Sequence, residues 1–375
     1  MSDTESNDAW LGLLKWSLNY VDGTVPSEES PAFKQMSAED RAFLEDVMKN
    51  GIIDEGQRMK TILSSLVSYL DDRLGVSSEQ DGDNDNIAST DHVSELLLEL
   101  KDIVDQIDFA KSFAVMGGID FLLGCSANGN KVPETVRIGC LAVLSTLSQN
   151  NPHVQFMMLE RGSIIKLLQM YFATFQQLLT TTTNNNNNEC DDERESTGVS
   201  LRAKIVQATS SSIRNHEMAE KIFCMNDDGI KMIESGLGMI ENDNIAHSHQ
   251  DLRKKSLFFL QALVTSDFAD SNRISKFGKA IQFVTSFLNP ENEDSQEIRE
   301  MSLSMLNRIL ERGLYVNCIL DLKHTIVNVG VRRVTYLRQA DGEEKEYTQE
   351  ELNLWESLLV NIARTPRDNK QQSNS

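Results

Sequence analysis

The chain of 375 residues is long enough for two or three ordinary domains, and it carries 57 Asp and Glu against 36 Lys and Arg, a formal net charge of −21. So acidic a balance disfavours general binding to nucleic acid or to anionic membranes. Cys125, Cys140, Cys190, Cys224 and Cys318 are scattered without a CxxC pair, which points to free thiols in a reducing compartment rather than a disulfide framework.

The opening MSDTESNDAW is acidic and lacks a basic segment before an apolar one, so no signal peptide is expected, and the cytosol, with the nucleus as a second compartment, is the expected location. Trp10, Leu13, Leu14, Leu18 and Val21 share one helical face, and a polar stretch with Pro26 and Pro31 follows. Residues 1–37 are therefore expected to be a flexible segment carrying a short amphipathic helix. Two further amphipathic segments end at Gly51 and Gly75, where glycine suits a helix stop. The acidic stretch that follows, about 76–90, has almost no apolar side chain and is expected to be a disordered loop.

Leu252 to Val264, LRKKSLFFLQALV, then shows a pattern that recurs. Arg253 is followed by Leu257, Leu260 and Leu263 at offsets of four, seven and ten, one face of a helix. The same frame fits Arg137 with Leu141, Leu144 and Leu147, and Arg299 with Leu303, Leu306 and Ile309. A polar copy runs from Arg202 through Val206, Thr209 and Ser212, and a copy without arginine from Val93 through Leu97, Leu100 and Ile103. A turn residue opening a second apolar run follows the copies led by Val93, Arg137, Arg202 and Arg253: Gly117, Gly162, Asp228 and Gly278. From Arg137 to Arg202, Arg253 and Arg299 the steps are 65, 51 and 46 residues, a period compatible with armadillo or HEAT units carrying insertions.

The expected fold is all-α, an armadillo-like right-handed superhelical solenoid. The array is expected over 38–310, capping helices over 311–362 and a disordered tail over 363–375. Thr180 to Gly198, rich in Thr and Asn, is expected to be a solvated insertion forming a disordered loop. Leu352, Trp355, Leu358 and Leu359 form a face able to cover the last repeat.

Little here suggests catalysis. A GxxxxGK[ST] phosphate loop and a GxSxG elbow are both missing, and His247 and His249 lack further ligands at zinc spacing. The expectation is a binding protein, not an enzyme, with no cofactor and no metal. In armadillo units the arginine-led helix lines a concave groove, so positions two, five and nine beyond the arginine should face a ligand. These are Lys255, Phe258 and Ala262; Lys204, Gln207 and Ser211; and Gly139, Ala142 and Thr146. The Trp and Asn ladder with which importin-class and catenin-class armadillo proteins clamp extended peptides is missing from these positions. Phe258 is open to a second reading, as a residue that meets a neighbouring helix.

Three groups of residues carry a more specific likeness: Thr146 to Asn150; Ile213, Arg214, Asn215 and His216 with Glu220, Lys221 and Phe223; and Lys255, Ser256, Phe258, Leu260 and Gln261. With Leu13, Leu14, Lys15, Trp16 and Ser17 near the start and Glu351 to Leu359 near the end, they stand in matching order over most of the chain. Together they resemble the armadillo-type nucleotide-exchange factors of 70-kDa heat-shock (DnaK-class) chaperones, the Fes and HspBP family. The resemblance implies a monomeric co-chaperone whose groove holds the chaperone's nucleotide-binding domain and promotes ADP release. It places Lys255, Phe258, Gln261, Lys204, Gln207, Ser211, Arg214, Thr146, Gln149 and Asn150 in that groove. It also gives Leu13, Leu14, Lys15 and Trp16 to a segment that frees client protein; packing of that segment on the first repeat is the other reading. A generic armadillo scaffold without exchange activity is the alternative function.

Overall fold

The computed structural model describes residues 54–75, 89–184, 191–239, 249–314 and 316–366, and among these there is no strand. The chain divides into two compact units, Met1–Ile62 and Leu63–Ser375. Of the first, residues 54–62 are described, the opening of helix α1 (Glu55–Leu74). Asp54 starts that helix, its side chain accepting the Gln57 N–H at 3.0 Å.

The second unit repeats one plan of three helices. After α2 (Thr90–Ile103) come α3 (Ile107–Val115), α4 (Gly118–Ala127) and α5 (Glu134–Ser148), then α6 (Pro152–Glu160), α7 (Ser163–Asn184) and α8 (Asp191–Ile213). The third triplet is α9 (Glu217–Met225), α10 (Asp227–Leu237) and α11 (Gln250–Thr265). The fourth is α12 (Ser271–Lys276), α13 (Gly278–Val284), which continues as a 3-10 turn over Thr285–Leu288, and α14 (Gln296–Arg312). Three helices close the chain: α15 (Asn317–Leu320), α16 (Lys323–Leu337) and α17 (Glu343–Arg364). Third helices pack on third helices, so α2, α5, α8, α11, α14 and α17 form one continuous ladder. The second helices α4, α7, α10 and α13 form a parallel row. Among the described residues the main helix packings join each layer to its neighbours, and the result is an all-α, armadillo-like solenoid.

The recurring apolar positions are the core of this stack. Leu141, Leu144 and Leu147, Leu257, Leu260 and Leu263, and Leu303, Leu306 and Ile309 are all 0% exposed. The polar copy keeps the same register because its hydroxyls satisfy themselves: Thr209 donates to the Ile205 carbonyl at 2.7 Å and Ser212 to that of Thr209 at 2.9 Å. Triplets are joined by a repeated turn. Asn150 (φ 53°) and Asn215 (φ 63°) adopt the left-handed conformation, which asparagine tolerates better than most residues. Each is followed by a helix N-cap, in which Asn151 accepts from the Val154 N–H and His216 Nδ1 from that of Ala219.

The register arginines are buried braces rather than surface cations. Arg202 donates to Tyr171 Oη at 2.8 Å and Ser235 Oγ at 2.6 Å, and its guanidinium stacks on the rings of Tyr171 and Phe175. Arg253 is ion-paired with Glu293. Arg299 donates to both carboxylate oxygens of Glu351, at 3.2 and 3.1 Å, and to the carbonyls of Glu293 and Asp294. Arg137 donates through Nε to the Ser126 carbonyl at 2.7 Å.

The segment 180–198 departs from expectation. Helix α7 continues to Asn184 and α8 begins at Asp191, so helix enters the Thr- and Asn-rich stretch from both ends. Threonine and asparagine have only modestly poor helix propensity, and a helix already nucleated by the packed turns of α7 propagates through them. Of the loop expected over about 76–90, residues 76–88 lie outside the described residues, and Ser89 caps α2 by accepting the His92 N–H. At the other end, Trp355 and Leu358 of α17 are fully buried, and α17 packs on α14 and α16. Cys125, Cys140, Cys224 and Cys318 are free and buried, and burial pushes the Cys224 and Cys318 thiols up to about 12, which leaves them inert near neutral pH. No single described helix is long and apolar enough to cross a membrane.

Candidate functional site

The third helices bring Gln149, Gln207, Ser211, Arg214, Lys255 and Phe258 around one cavity of about 400 Å³. All six are among the residues expected to face a partner. Ser210, Asp251, Lys254, Glu297 and Met301 complete its walls.

Local structure fixes each side chain. Arg214 follows the last turn of α8, where the Gln155 amide of α6 donates to the carbonyls of Ser211 at 2.9 Å and Arg214 at 3.0 Å. This tie holds the end of the helix, and the left-handed Asn215 turns the chain away beyond it. The Arg214 guanidinium lies over the Phe258 ring, 4.7 Å from its centroid, a cation–π pair across two layers of the ladder. Burial lowers the pKa of Arg214, yet a guanidinium remains a cation at neutral pH. Its Nε is buried without a hydrogen-bond partner, and so is Ser210 Oγ one helical turn away. Phe258 is 46% exposed, and what covers the rest includes the Arg214 guanidinium of the neighbouring layer.

A basic strip runs beside this pair. Lys101, Lys204 and Lys255 lie on the third helices α2, α8 and α11; burial lowers the pKa of Lys204 first, and repulsion from Lys255 and Lys101 adds to it while Asp251 opposes. Lys204 donates to Gln207 Oε1 at 3.2 Å, Lys255 pairs with Asp251 at 2.8 Å, and Lys254 pairs with Glu297. In a chain of net charge −21 such a strip is a local exception.

Four expected groove residues fall elsewhere. Gln261 donates to Ser304 Oγ on α14 at 3.4 Å, a tie between layers. Thr146 is half-buried in α5, Asn150 is exposed in its left-handed turn, and Lys204 flanks the cavity through Gln207. Leu13, Leu14, Lys15 and Trp16 lie outside the described residues, as does His247. Sequence reasoning missed the acidic partners Asp251 and Glu297. A signal for them existed, since both stand two residues before a register arginine. Among the described residues no group of three or more His, Cys, Asp or Glu side chains is placed to hold a metal ion.

No family model matches the sequence, and neither does any curated protein. Among solved structures, an engineered protein from a structural-genomics programme overlays with a TM-score of 0.49 at 12% identity, covering 83% of this chain and 97% of that one. A designed armadillo repeat protein gives 0.48 at 11% identity, covering 80% and 98%. A second designed armadillo repeat protein, in complex with a (KR)4 peptide, gives 0.47 at 12% identity, covering 81% and 100%. The fold assignment rests on the helix ladder of the chain itself.

Proposed function

We propose that this protein is a co-chaperone that binds the nucleotide-binding domain of a DnaK-class heat-shock chaperone through its third-helix groove and promotes ADP release. The observation that carries the reading is the meeting of Gln149, Gln207, Ser211, Arg214, Lys255 and Phe258 around one cavity, since Gln149, Arg214, Lys255 and Phe258 come from the three sequence stretches that resemble the exchange factors, and Gln207 and Ser211 from the groove positions of the repeat led by Arg202. The missing Trp and Asn ladder argues against an extended peptide, and a half-exposed aromatic ring beside Arg214 and Lys255 suits a folded surface that presents carboxylates. Mechanistically, a groove that fits the open nucleotide-binding domain better than the closed one shifts it open, and nucleotide must weaken the protein's own binding by the same factor.

Lys255→Glu tests this. The substitution breaks the 2.8 Å pair with Asp251 and reverses a charge in the groove. A surface charge change shifts folding by about 0.5 kcal/mol, whereas loss of a central interface pair commonly costs about 2–5 kcal/mol. Stimulated release of a fluorescent ADP analogue should fall at least about tenfold with the denaturation midpoint unchanged. Phe258→Ala should act similarly, because a half-exposed ring contributes more to an interface than to the core. A folded Lys255→Glu protein with unimpaired release would place the partner elsewhere, and a wild-type protein that binds the chaperone without accelerating release would make it a scaffold.

The second part of the proposal concerns Leu13, Leu14, Lys15 and Trp16, which we assign to client release. A chain beginning at Ala38 should still accelerate ADP release but no longer free a bound client peptide. Loss of both activities would contradict a separate role for the segment.

A further inference from the structure

Among the four register arginines Arg137 stands apart. The guanidinium Nη atoms of Arg202, Arg253 and Arg299 all meet an acceptor supplied by the following layer: Ser235, Glu293 and Glu351 respectively. Arg137 is 7% exposed, it spends its Nε on Ser126 within its own layer, and its Nη atoms make no hydrogen bond among the described residues. The position where the next layer should answer is instead a cavity of about 500 Å³ between α4 and α7, lined by Arg137 itself. Gly129 helps to make that space: a Cβ there would stand 2.9 Å from Arg137 Nη1.

The cavity lining is mixed. Arg137 and Lys166 are its cations, Gln169 and Thr174 add uncharged polar groups, and Leu123, Ala127, Met170 and Ala173 are apolar. Asp120 also borders it but is taken up by Arg161 at 3.0 Å. Glu134, one turn before Arg137, forms no ion pair with it among the described residues; burial pushes the Glu134 carboxyl up and the Arg137 charge opposes that shift. Two cations suit a monoanion. A dianion such as phosphate would face the Asp120 carboxylate with few further donors and would leave the apolar residues uncovered.

We propose that this cavity binds an aliphatic carboxylate, its charged end on Arg137 and Lys166 and its hydrocarbon end on Leu123, Ala127, Met170 and Ala173. The source is either a free medium-chain acid or the C-terminal carboxylate of a polypeptide ending in an aliphatic residue. Its role is to supply the missing acceptor and brace the first full layer to the second.

Titration calorimetry and thermal melts of the full chain with sodium octanoate test the site, with octanamide, inorganic phosphate and a short peptide ending in leucine as the other arms. Saturable one-to-one binding of octanoate, with a raised melting temperature and no effect of octanamide or phosphate, is expected for a free acid. Binding confined to the peptide, and lost on amidating its C-terminus, identifies the polypeptide source. Because Arg137 also holds the end of α4, the diagnostic variants are Lys166→Glu and Ala173→Leu, both at exposed positions. Each should weaken the bound carboxylate by roughly tenfold or more while the unliganded melt stays in place. The proposal is overturned if neither carboxylate binds saturably, if octanamide binds as tightly as octanoate, or if both variants bind like the parent chain.

Discussion

Glu351→Ala should lower the stability of the folded chain by about 3–5 kcal/mol near neutral pH, the cost of leaving buried charge unpaired. Glu351 is 0% exposed and accepts from two arginines at once: Arg299 through Nε and Nη2 at 3.2 and 3.1 Å, and Arg333 through Nε and Nη2 at 2.8 and 2.9 Å. Truncation strands both guanidinium groups beneath α17. Two backbone carbonyls still serve Arg299, which pulls the effect toward the lower end of that range. Burial alone would push the Glu351 carboxyl up, but the hydrogen bonds from Arg333 and Arg299 and their charges outweigh it and hold its pKa below the usual value. A depressed folded pKa contributes stability that is present above the unfolded value of about 4.3 and lost as pH falls through the folded value. Urea melts of parent and Glu351→Gln chains should therefore differ most at neutral pH and converge as pH falls below about 4. Parallel curves down to acid would show that the triad does not titrate with folding. Replacing all three residues by apolar side chains of similar volume is a different experiment and should cost far less, because desolvation offsets much of the Coulomb gain.

Glu220→Ala should be comparably damaging, again about 3–5 kcal/mol, for a different geometric reason. Glu220, 1% exposed, joins three parts of the chain. One oxygen accepts the Asn215 N–H at 3.0 Å; the other accepts Ser266 Oγ at 2.7 Å and pairs with Arg273 of the next triplet. Its removal leaves a nearly buried arginine without its anion, two neutral donors unsatisfied and the left-handed turn unsupported. The urea midpoint should fall with the slope of the transition unchanged. Glu220→Gln should recover part of the loss, since an amide oxygen can still accept from Asn215 but cannot neutralise Arg273. Full recovery would make the ion pair dispensable. Because Asn215 directly follows Arg214, either variant should also loosen the Arg214–Phe258 pair.

The ladder was legible in the sequence because its signal is local. An arginine and three apolar residues on one helical face occupy only eleven positions, and the leucines they name are the most buried residues of the fold. The groove followed from the same frame, since residues two, five and nine beyond the arginine leave the helix on the side away from that core. What stayed hidden was non-local or cancelled out. Braces such as Arg299 to Glu351 join residues 52 apart, and nothing in either neighbourhood names the other. The short first helices α3, α6 and α9 carry exposed apolar residues such as Val115, Phe156 and Met218, which blur their period. The Thr- and Asn-rich stretch reads as loop by composition, but the helices flanking it extend inward because their packed turns have already met the cost of nucleation. The cavity at Arg137 is legible only against the other arginines, as a missing answer in a repeated pattern.

The modest reach of these braces also sets an order of events during synthesis. Arg137 closes on Ser126 11 residues earlier, Arg202 on Ser235 33 residues later, Arg253 on Glu293 40 later, and Arg299 on Glu351 52 later. At about 5–20 residues per second, a nascent chain waits roughly 3–10 seconds between making Arg299 and making its anion. A layer led by Arg202, Arg253 or Arg299 can thus lock only once its acceptor in the next layer has been made, and the newest of these layers carries the uncapped arginine.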